Sequence, residues 1–524
     1  MRQQPASAHP VSKTTTRRAR MRAAFAGIAS VAAGLGAAEL VAFVVSPGAS
    51  PLFSAGSLVI DLSPQWLKER VIGLVGTADK VVIIASVVLL VAVLAAVAGL
   101  LERSRPPWGR VLVAAVGGLA LVAATTRADA GIASAIPSAV AIAVGIIVLV
   151  SLSRRASAAE SAVGAREQGM ARRTFLVASG LAAGAGILAA VGGRIAASGV
   201  QAVNAARRMF TLPTPAVAVA PIPPGASLSV PGLSPLVTPS SDFYRIDTAL
   251  LVPSIDPANW TLRITGMVDR EVTLTFDELL ALPLEESYTT LACVSNYVGG
   301  DLIGNALWLG YPIRHLLAQA GPASGADMVL SRSVDGFTAG TPIEALTDDR
   351  NAILAVAMNG APLPAEHGFP VRMVVPGLYG YVSATKWVTE LKVTTYAKDS
   401  AYWTDRGWSA HGPVKLSSRI DTPRESRRVA AGRVIVAGVA WSQHVGISRV
   451  EVQVDDGAWS DADLADAISS DTWCQWSFPW DASQGRHKLT VRATDSNGRL
   501  QTSAYADVVP DGATGLHTIL VDVG

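Results

Sequence analysis

The hydrophobic rhythm of the chain changes twice. Between residues 22 and 195, apolar side chains come in unbroken runs, neither alternating nor confined to one helical face. Five runs, roughly 23–45, 80–101, 111–126, 132–152 and 175–193, approach or reach the ~20 residues a helix needs to cross a bilayer. The third is the shortest. A membrane domain over 23–196, preceded by a basic tail at 1–22, is the expectation.

Residues 197–240 form a linker rich in proline after 210 (Pro213, Pro215, Pro221, Pro223, Pro224, Pro231, Pro235). Such a segment is predicted to be extended and semi-rigid, holding the next domain off the bilayer. Over 241–420, strand-like runs (Trp260–Ile264, Met373–Val375) mix with amphipathic helical ones (Phe276–Leu282, Ile313–Ala320), predicting an α+β domain with a mixed sheet. His315 falls on the second helix as a surface residue. From 421 to 524 only strands remain: Arg433–Trp441, Ile447–Val454, Thr472–Phe478 and His487–Thr494. Asp455-Asp456-Gly457 and Ser496-Asn497-Gly498 supply the turns. Regular short strands of this kind predict an immunoglobulin-like β-sandwich of about 100 residues. Cys474, flanked by Trp473 and Trp476, is assigned to its core.

Charge adds a topology. The net charge is only +2, so composition points to no nucleic acid or other polyanionic partner. The basic residues are segregated, however. Arg17, Arg18, Arg20 and Arg22 precede the first span; Arg103, Arg105 and Arg110 follow the second; Arg154, Arg155, Arg166, Arg172 and Arg173 follow the fourth. The positive-inside rule puts these three regions in the cytoplasm, and five crossings then put everything after about 196 outside. Glu39, inside the first span but near its outer end, reads as a structural residue within reach of the interface, with an intramembrane proton site as the alternative. Pro64–Arg70 reads as a short interfacial helix anchored by Trp66. Arg172-Arg173-Thr174-Phe175-Leu176 resembles a twin-arginine export signal, and equally serves as an ordinary positive-inside flank. With no small-residue cleavage site after it, the fifth helix is expected to remain as an anchor.

The membrane segments contain no redox ligand. No histidine lies between His9 and His315, and no methionine lies within the five runs, so haem has no axial ligands there. Two cysteines in the whole chain exclude iron–sulfur clusters and a haem-attachment motif. The helices are therefore expected to anchor the chain rather than conduct electrons, so that any redox chemistry would call for a separate electron-transfer protein. A phosphate loop and a dinucleotide fingerprint are also missing.

Candidate chemistry concentrates in two segments. The first, His367 to Trp387, reads His-Gly-Phe-Pro-Val-Arg372, then Pro376-Gly377-Leu378-Tyr379-Gly380, then Lys386-Trp387. Its imidazole, guanidinium and ammonium sit beside glycine turns, which suits an anionic, phosphate-bearing ligand. Alone, it reads equally as a strand, a turn and surface charge. The second segment ends a strand-like run at Cys293, followed by Val294-Ser295-Asn296. A thiolate there suits a soft or high-valent metal, and a small buried hydrophobe is the plainer alternative.

Taken together, Cys293 with Asn296, His367-Gly-Phe-Pro-x-Arg372, Pro376-Gly377 and Lys386-Trp387 resemble the sulfite oxidase family of molybdopterin enzymes, over about residues 240–524. The resemblance implies a molybdenum–molybdopterin cofactor with Cys293 as the protein ligand to the metal. It gives His367, Arg372 and Lys386 to the pterin and its phosphate. Phe243-Tyr244-Arg245 resembles the family's Phe-x-Arg, which turns Arg245 toward the cofactor. Asn296, Gly377, Gly380 and Ser383 are carried over as cofactor neighbours. The resemblance also implies a small-molecule substrate and a homodimer through the C-terminal domain.

The departures lie on the substrate side. Asp247 stands where the family usually has a histidine. Tyr297-Val298 replaces an arginine that follows the cysteine in true sulfite oxidases. Trp408, in Trp403-Thr-Asp-Arg-Gly-Trp408, stands nearest to the family's substrate-side tyrosine, with Arg406 beside it as a cation. Trp408 and Arg406 are therefore the substrate-side candidates, with Cys293 and Arg245. Sulfite oxidation and reduction of an S- or N-oxide both stay open. The rival from another class is a non-catalytic cell-envelope interaction protein.

Overall fold

The structure, a computed structural model, describes residues 13–45, 49–63, 79–126, 132–161, 165–197, 207, 210–249 and 252–524. The chain divides into two compact units, Met1–Gly199 and Val200–Gly524.

The first unit is helical: α1 (Lys13–Val45), α2 (Pro51–Leu62), α3 (Asp79–Ser104), α4 (Trp108–Thr125), α5 (Ile136–Ser161) and α6 (Ala165–Ala197). Among the described residues five of these are long and apolar enough to cross a membrane, over Arg17–Val45, Val82–Ser104, Trp108–Thr125, Ala133–Ala158 and Arg173–Ala190. Helix α1 approaches its neighbours through small residues. A Cβ on Gly27 would lie 1.9 Å from the Ala95 carbonyl oxygen of α3, and one on Gly36 would lie 2.3 Å from that of Gly186 in α6. Backbones this close gain van der Waals contact where an apolar surround offers no hydrophobic drive.

Three sequence readings change here. The 12-residue helix α2 was not anticipated. Glu39 is 5% exposed and takes a hydrogen bond from the Ser50 hydroxyl, so burial with a partner replaces the expected reach to the interface. The Arg172-Arg173 pair lies within α6, which begins at Ala165, and Phe175 of the same motif is buried against Ala26, Ala29 and Leu152. The interfacial helix expected at Pro64–Arg70 lies outside the described residues.

The second unit carries two β-rich parts. In the first, the strands are β1 (Thr261–Gly266), β2 (Val272–Thr275), β3 (Glu285–Ala292), β4 (Ile303–Pro312), β5 (Met328–Ser333), β6 (Thr338–Pro342), β7 (Ile353–Met358), β8 (Ala361–Pro362), β9 (Arg372–Val374) and β10 (Val388–Thr394). One sheet has the order β2-β1-β10-β5-β6, with β1 and β10 parallel and the rest antiparallel, a mixed sheet as expected. The other has the order β3-β4-β7-β8, with β9 also paired to β7. Helix α7 (Phe276–Leu280) starts on a capping box in which Thr275 and Glu278 satisfy each other's backbone N–H. Helix α8 (Ile313–Ala320) stops at Gly321 in the left-handed region. Leu279, Ile313 and Leu317 from these helices join Leu262, Leu391 and Met373 in one core. His315 is exposed.

The second part is a sandwich. Strands β11 (Ser417–Thr422), β13 (Gly432–Trp441), β16 (Asp463–Leu464) and β17 (Cys474–Ala482) form one sheet, in the order β11-β13-β17-β16. Strands β12 (Arg428–Val429), β14 (Ile447–Val454), β15 (Trp459–Asp461), β18 (Gly485–Asp495) and β19 (His517–Val523) form the other, in the order β12-β19-β18-β14-β15. Asp455 and Asp456, both at positive φ, make the turn between β14 and β15. Cys474 is buried in the inter-sheet core, and both cysteines are free.

The proline-rich segment is extended, but it is not a free spacer. Ala216 N–H donates to Leu284 O (2.7 Å), Glu286 N–H donates to Val217 O (2.9 Å), and Leu228 N–H donates to Gln475 Oε1 (2.7 Å). Ala226, Leu236 and Phe243 are buried. Prolines remove several N–H groups from the segment, and the folded unit takes up some of those that remain.

Candidate active site

Strand β3 delivers Cys293. Its pairing with β4 runs to Ala292↔Ile303, and Cys293 N–H continues it by donating to Leu302 O (2.9 Å). The loop between the strands closes on itself: Asn296 N–H donates to Cys293 O (3.1 Å), and Asn296 Oδ1 accepts from Leu302 N–H (2.9 Å). Asn296 thus holds the shape of the cysteine loop. Cys293 is 8% exposed. Burial pushes its pKa up, while hydrogen bonds from Ser295 and the charge of Lys386 pull the other way.

The sandwich grips the same strand and loop. Thr290 N–H donates to Asp471 O (3.0 Å), Trp473 N–H donates to Thr290 Oγ1 (2.9 Å), and Gln443 Nε2 donates to Thr290 O (2.8 Å). Arg419 reaches Gly300 O at 2.7 Å, Ser234 Oγ at 3.0 Å and Asp421 Oδ1 at 2.6 Å. Apart from Arg419–Asp421, two positions apart, these contacts were not legible in the sequence, because each joins residues far apart along the chain.

Beside Cys293 lies a cluster of cations. Arg372, at the start of β9, is 4% exposed and lies 5.1 Å over the Trp308 ring. It donates to the carbonyls of Met373, His367 and Ala384 at 3.2–3.4 Å. Burial lowers its pKa to about 10. Lys386 bridges back to Arg372 and gives its ammonium to Asp247 Oδ2 (2.8 Å) and Glu366 O (3.0 Å). Burial, and then the guanidinium of Arg372, bring its pKa down to about 8, with Asp247 opposing. Arg245 Nε donates to the same Asp247 oxygen at 3.0 Å. Gly368, at φ +113°, allows this convergence: a Cβ there would lie 2.9 Å from Arg372 Cβ and 3.2 Å from Lys386 Cβ.

His367 completes the cluster. Burial, reinforced by the charges of Lys386 and Arg372, drops its pKa to about 3, so the ring is neutral. Nε2 lies 3.2 Å from Ser240 O and must carry the proton. Nδ1 is then a bare acceptor, buried and without a hydrogen-bond partner among the described residues. A buried acceptor left open beside three cations fits a ligand carrying both an N–H donor and an anion. The residues present therefore fit a pterin phosphate.

The remaining candidates scatter. Gly377 faces the sandwich, where a Cβ would meet His444 Cβ at 3.2 Å. Gly380 opens a single helical turn over Gly380–Ser383, 3.9 Å (from its Cβ position) from Ala292 O. Ser383 is fully buried and gives its hydroxyl to Tyr379 O (2.9 Å). Trp408 is 4% exposed and packs with Ala292, Val294 and Tyr379; its Nε1–H has no partner among the described residues. Arg406 lies 3.6 Å over the Tyr402 ring and donates to Tyr402 O (2.8 Å). Two phenols passed over in the sequence, Tyr244 and Tyr379, are close enough to Cys293 for its charge to raise their pKa values, though burial dominates both shifts. Their signal was present in Phe243-Tyr244-Arg245 and Leu378-Tyr379-Gly380.

Residues 249–403 match the family described as oxidoreductase molybdopterin binding domain, and 417–491 match a bacterial Ig domain. Mitochondrial sulfite oxidase of Mus musculus is 30% identical over 321 residues, 52% of this chain and 58% of that protein. Sulfite oxidase of Gallus gallus is 27% identical over 52% of this chain and 69% of its own. Inducible nitrate reductase [NADH] 1 of Glycine max is 27% identical over 47% and 35%. The chain thus spans little more than half the length of the mouse relative. Among solved structures, the sulfane dehydrogenase SoxCD from Paracoccus pantotrophus shares the fold, with a TM-score of 0.50 and 23% identity over 57% of this chain and 84% of that one. Residues 249–403 thus carry an oxidoreductase molybdopterin binding domain similar to that of sulfite oxidases, which implies molybdenum–molybdopterin as the cofactor.

Proposed function

We propose that this chain is a membrane-anchored oxidoreductase, acting outside the cytoplasm on a small neutral or weakly charged substrate at a molybdenum held by Cys293. The observation that carries the reading is the buried thiol beside Arg245, Arg372, Lys386 and a neutral His367 whose Nδ1 is open. Arg372 and Lys386 bind the phosphate, Arg245 supports them, and His367 Nδ1 accepts from the pterin. When bound, the cofactor supplies two-electron or oxygen-atom-transfer chemistry. Among the described residues no group of three or more His, Cys, Asp or Glu side chains is able to hold a metal ion, which favours a metal brought in on a cofactor.

On the substrate side, sulfite is disfavoured. A dianion needs compensating cations, since burying unpaired charge costs several kcal/mol. Arg406 is engaged by Tyr402, and Arg245 by Asp247. Trp408 contributes an uncommitted N–H, suited to the oxygen of a sulfoxide or N-oxide. The five apolar helices support anchoring, and the segregated arginines support an outward-facing catalytic unit with electrons exchanged through a separate protein. Homodimerisation through the sandwich is part of the same reading.

The test is metal and pterin analysis of the purified full chain beside Cys293→Ser. Wild type should contain about one molybdenum and one pterin per chain. Cys293→Ser should keep pterin and lose turnover, because an alcohol is a harder, poorer ligand than thiolate. Full activity in that variant would overturn the assignment.

A further inference from the structure

We propose that Asp247 is the built-in counter-ion of the cofactor pocket, holding Arg245 and Lys386 together and in place until an anion arrives. The inference rests on the cofactor reading above. One carboxylate oxygen, Asp247 Oδ2, meets Lys386 Nζ at 2.8 Å and Arg245 Nε at 3.0 Å, and the Asp247 side chain is only 8% exposed. The third cation, Arg372, is satisfied by backbone carbonyls and carries no carboxylate partner in those bonds. Three buried or half-buried cations without a counter-ion repel one another and lack water to screen them. With Asp247 the pocket keeps two positive charges, the complement of a phosphate monoester dianion. Asp247 is thus a positioning residue: it preserves the shape of the site before loading and leaves the charge of the loaded site balanced.

Consequently, Asp247 should matter most when the cofactor is absent. The test is hydrogen exchange, followed by mass spectrometry, on peptides covering 240–249 and 365–388 of the full chain in detergent. Cofactor-free protein comes from cells unable to make the pterin. Asp247→Asn should exchange at least tenfold faster than wild type when cofactor-free, and millimolar inorganic phosphate should restore its protection. Loaded wild type and loaded Asp247→Asn should agree within twofold. Asp247→Glu should behave as wild type. Asp247→Asn combined with Lys386→Gln removes one charge of each sign and should regain protection without phosphate; this arm also serves if the single variant fails to accumulate. Equal protection of wild type and Asp247→Asn without cofactor overturns the proposal. So does an equal loss in the loaded proteins, or a double variant that does not recover. Absence of molybdenum and pterin from the wild-type chain defeats the cofactor reading instead, and the cofactor-free and phosphate arms still decide this one.

Discussion

Replacing Arg419 by methionine tests whether the sandwich holds the cysteine loop in place. Arg419 and Asp421 are 8% and 7% exposed in their side chains, and the pair is flanked by Gly300 O and Ser234 Oγ. Methionine keeps the aliphatic stem but removes the guanidinium, so Asp421 is left with the Ser234 N–H, at 3.0 Å. Stranding one member of a buried pair costs about 3–5 kcal/mol. Replacing Asp421 by asparagine as well removes the stranded charge and keeps an acceptor for Ser234. What then remains is the unpaired Gly300 carbonyl and Ser234 hydroxyl, about 1–2 kcal/mol. Arg419→Met with Asp421→Asn should therefore be more stable than Arg419→Met alone by about 2–3 kcal/mol. The assay is urea unfolding followed by tryptophan fluorescence, reporting through Trp473 and Trp476 of the sandwich. Freed from Gly300, the loop should also open Cys293 to a thiol reagent in cofactor-free protein. A double variant no more stable than Arg419→Met, or unchanged labelling of Cys293, would refute the reasoning.

Acid should destabilise the cofactor-free protein through His367. The folded ring titrates near 3 and an unfolded one near 6.5, so between these values only the unfolded chain takes the proton and stability falls with pH. The loss should be about 2 kcal/mol from pH 6.5 to 5, read from urea midpoints, and His367→Gln should abolish that share. Arg172→Lys with Arg173→Lys keeps the charge and destroys the paired guanidinium signal. The second unit should then stay inside, and wild-type labelling from outside would reduce the pair to a topogenic flank. Trp408→Phe keeps an aromatic ring, though a smaller one, and deletes the N–H, so KM for a sulfoxide or N-oxide should rise several-fold in dye-coupled kinetics, and an unchanged KM would clear Trp408 of substrate contact. With sulfite, wild type should stay well below a kcat/KM of about 10⁶ M⁻¹s⁻¹, a value within the efficient range that would contradict the substrate reading.

Sequence alone decided whatever depends on local pattern. Apolar runs without alternation define helices by length, and they located the five long ones to within a few residues at most ends, since a helix pairs its backbone within one segment. Alternation with turn residues marked the sandwich, and the spaced Cys293, His367, Arg372 and Lys386 carried the resemblance to the sulfite oxidase family. Tertiary structure decided everything that depends on which distant residues meet. The burial of Glu39 on Ser50 and the packing of the proline segment were such cases. Asp247 was read as a substitution along a motif, and only the fold joined it to a lysine 139 positions away. Arg406 was read as a substrate-side cation beside Trp408, while its local fold laid it over Tyr402, four positions earlier. Charge and shape at a site are set by contacts between strands and loops, and a linear pattern records only what each residue brings to them.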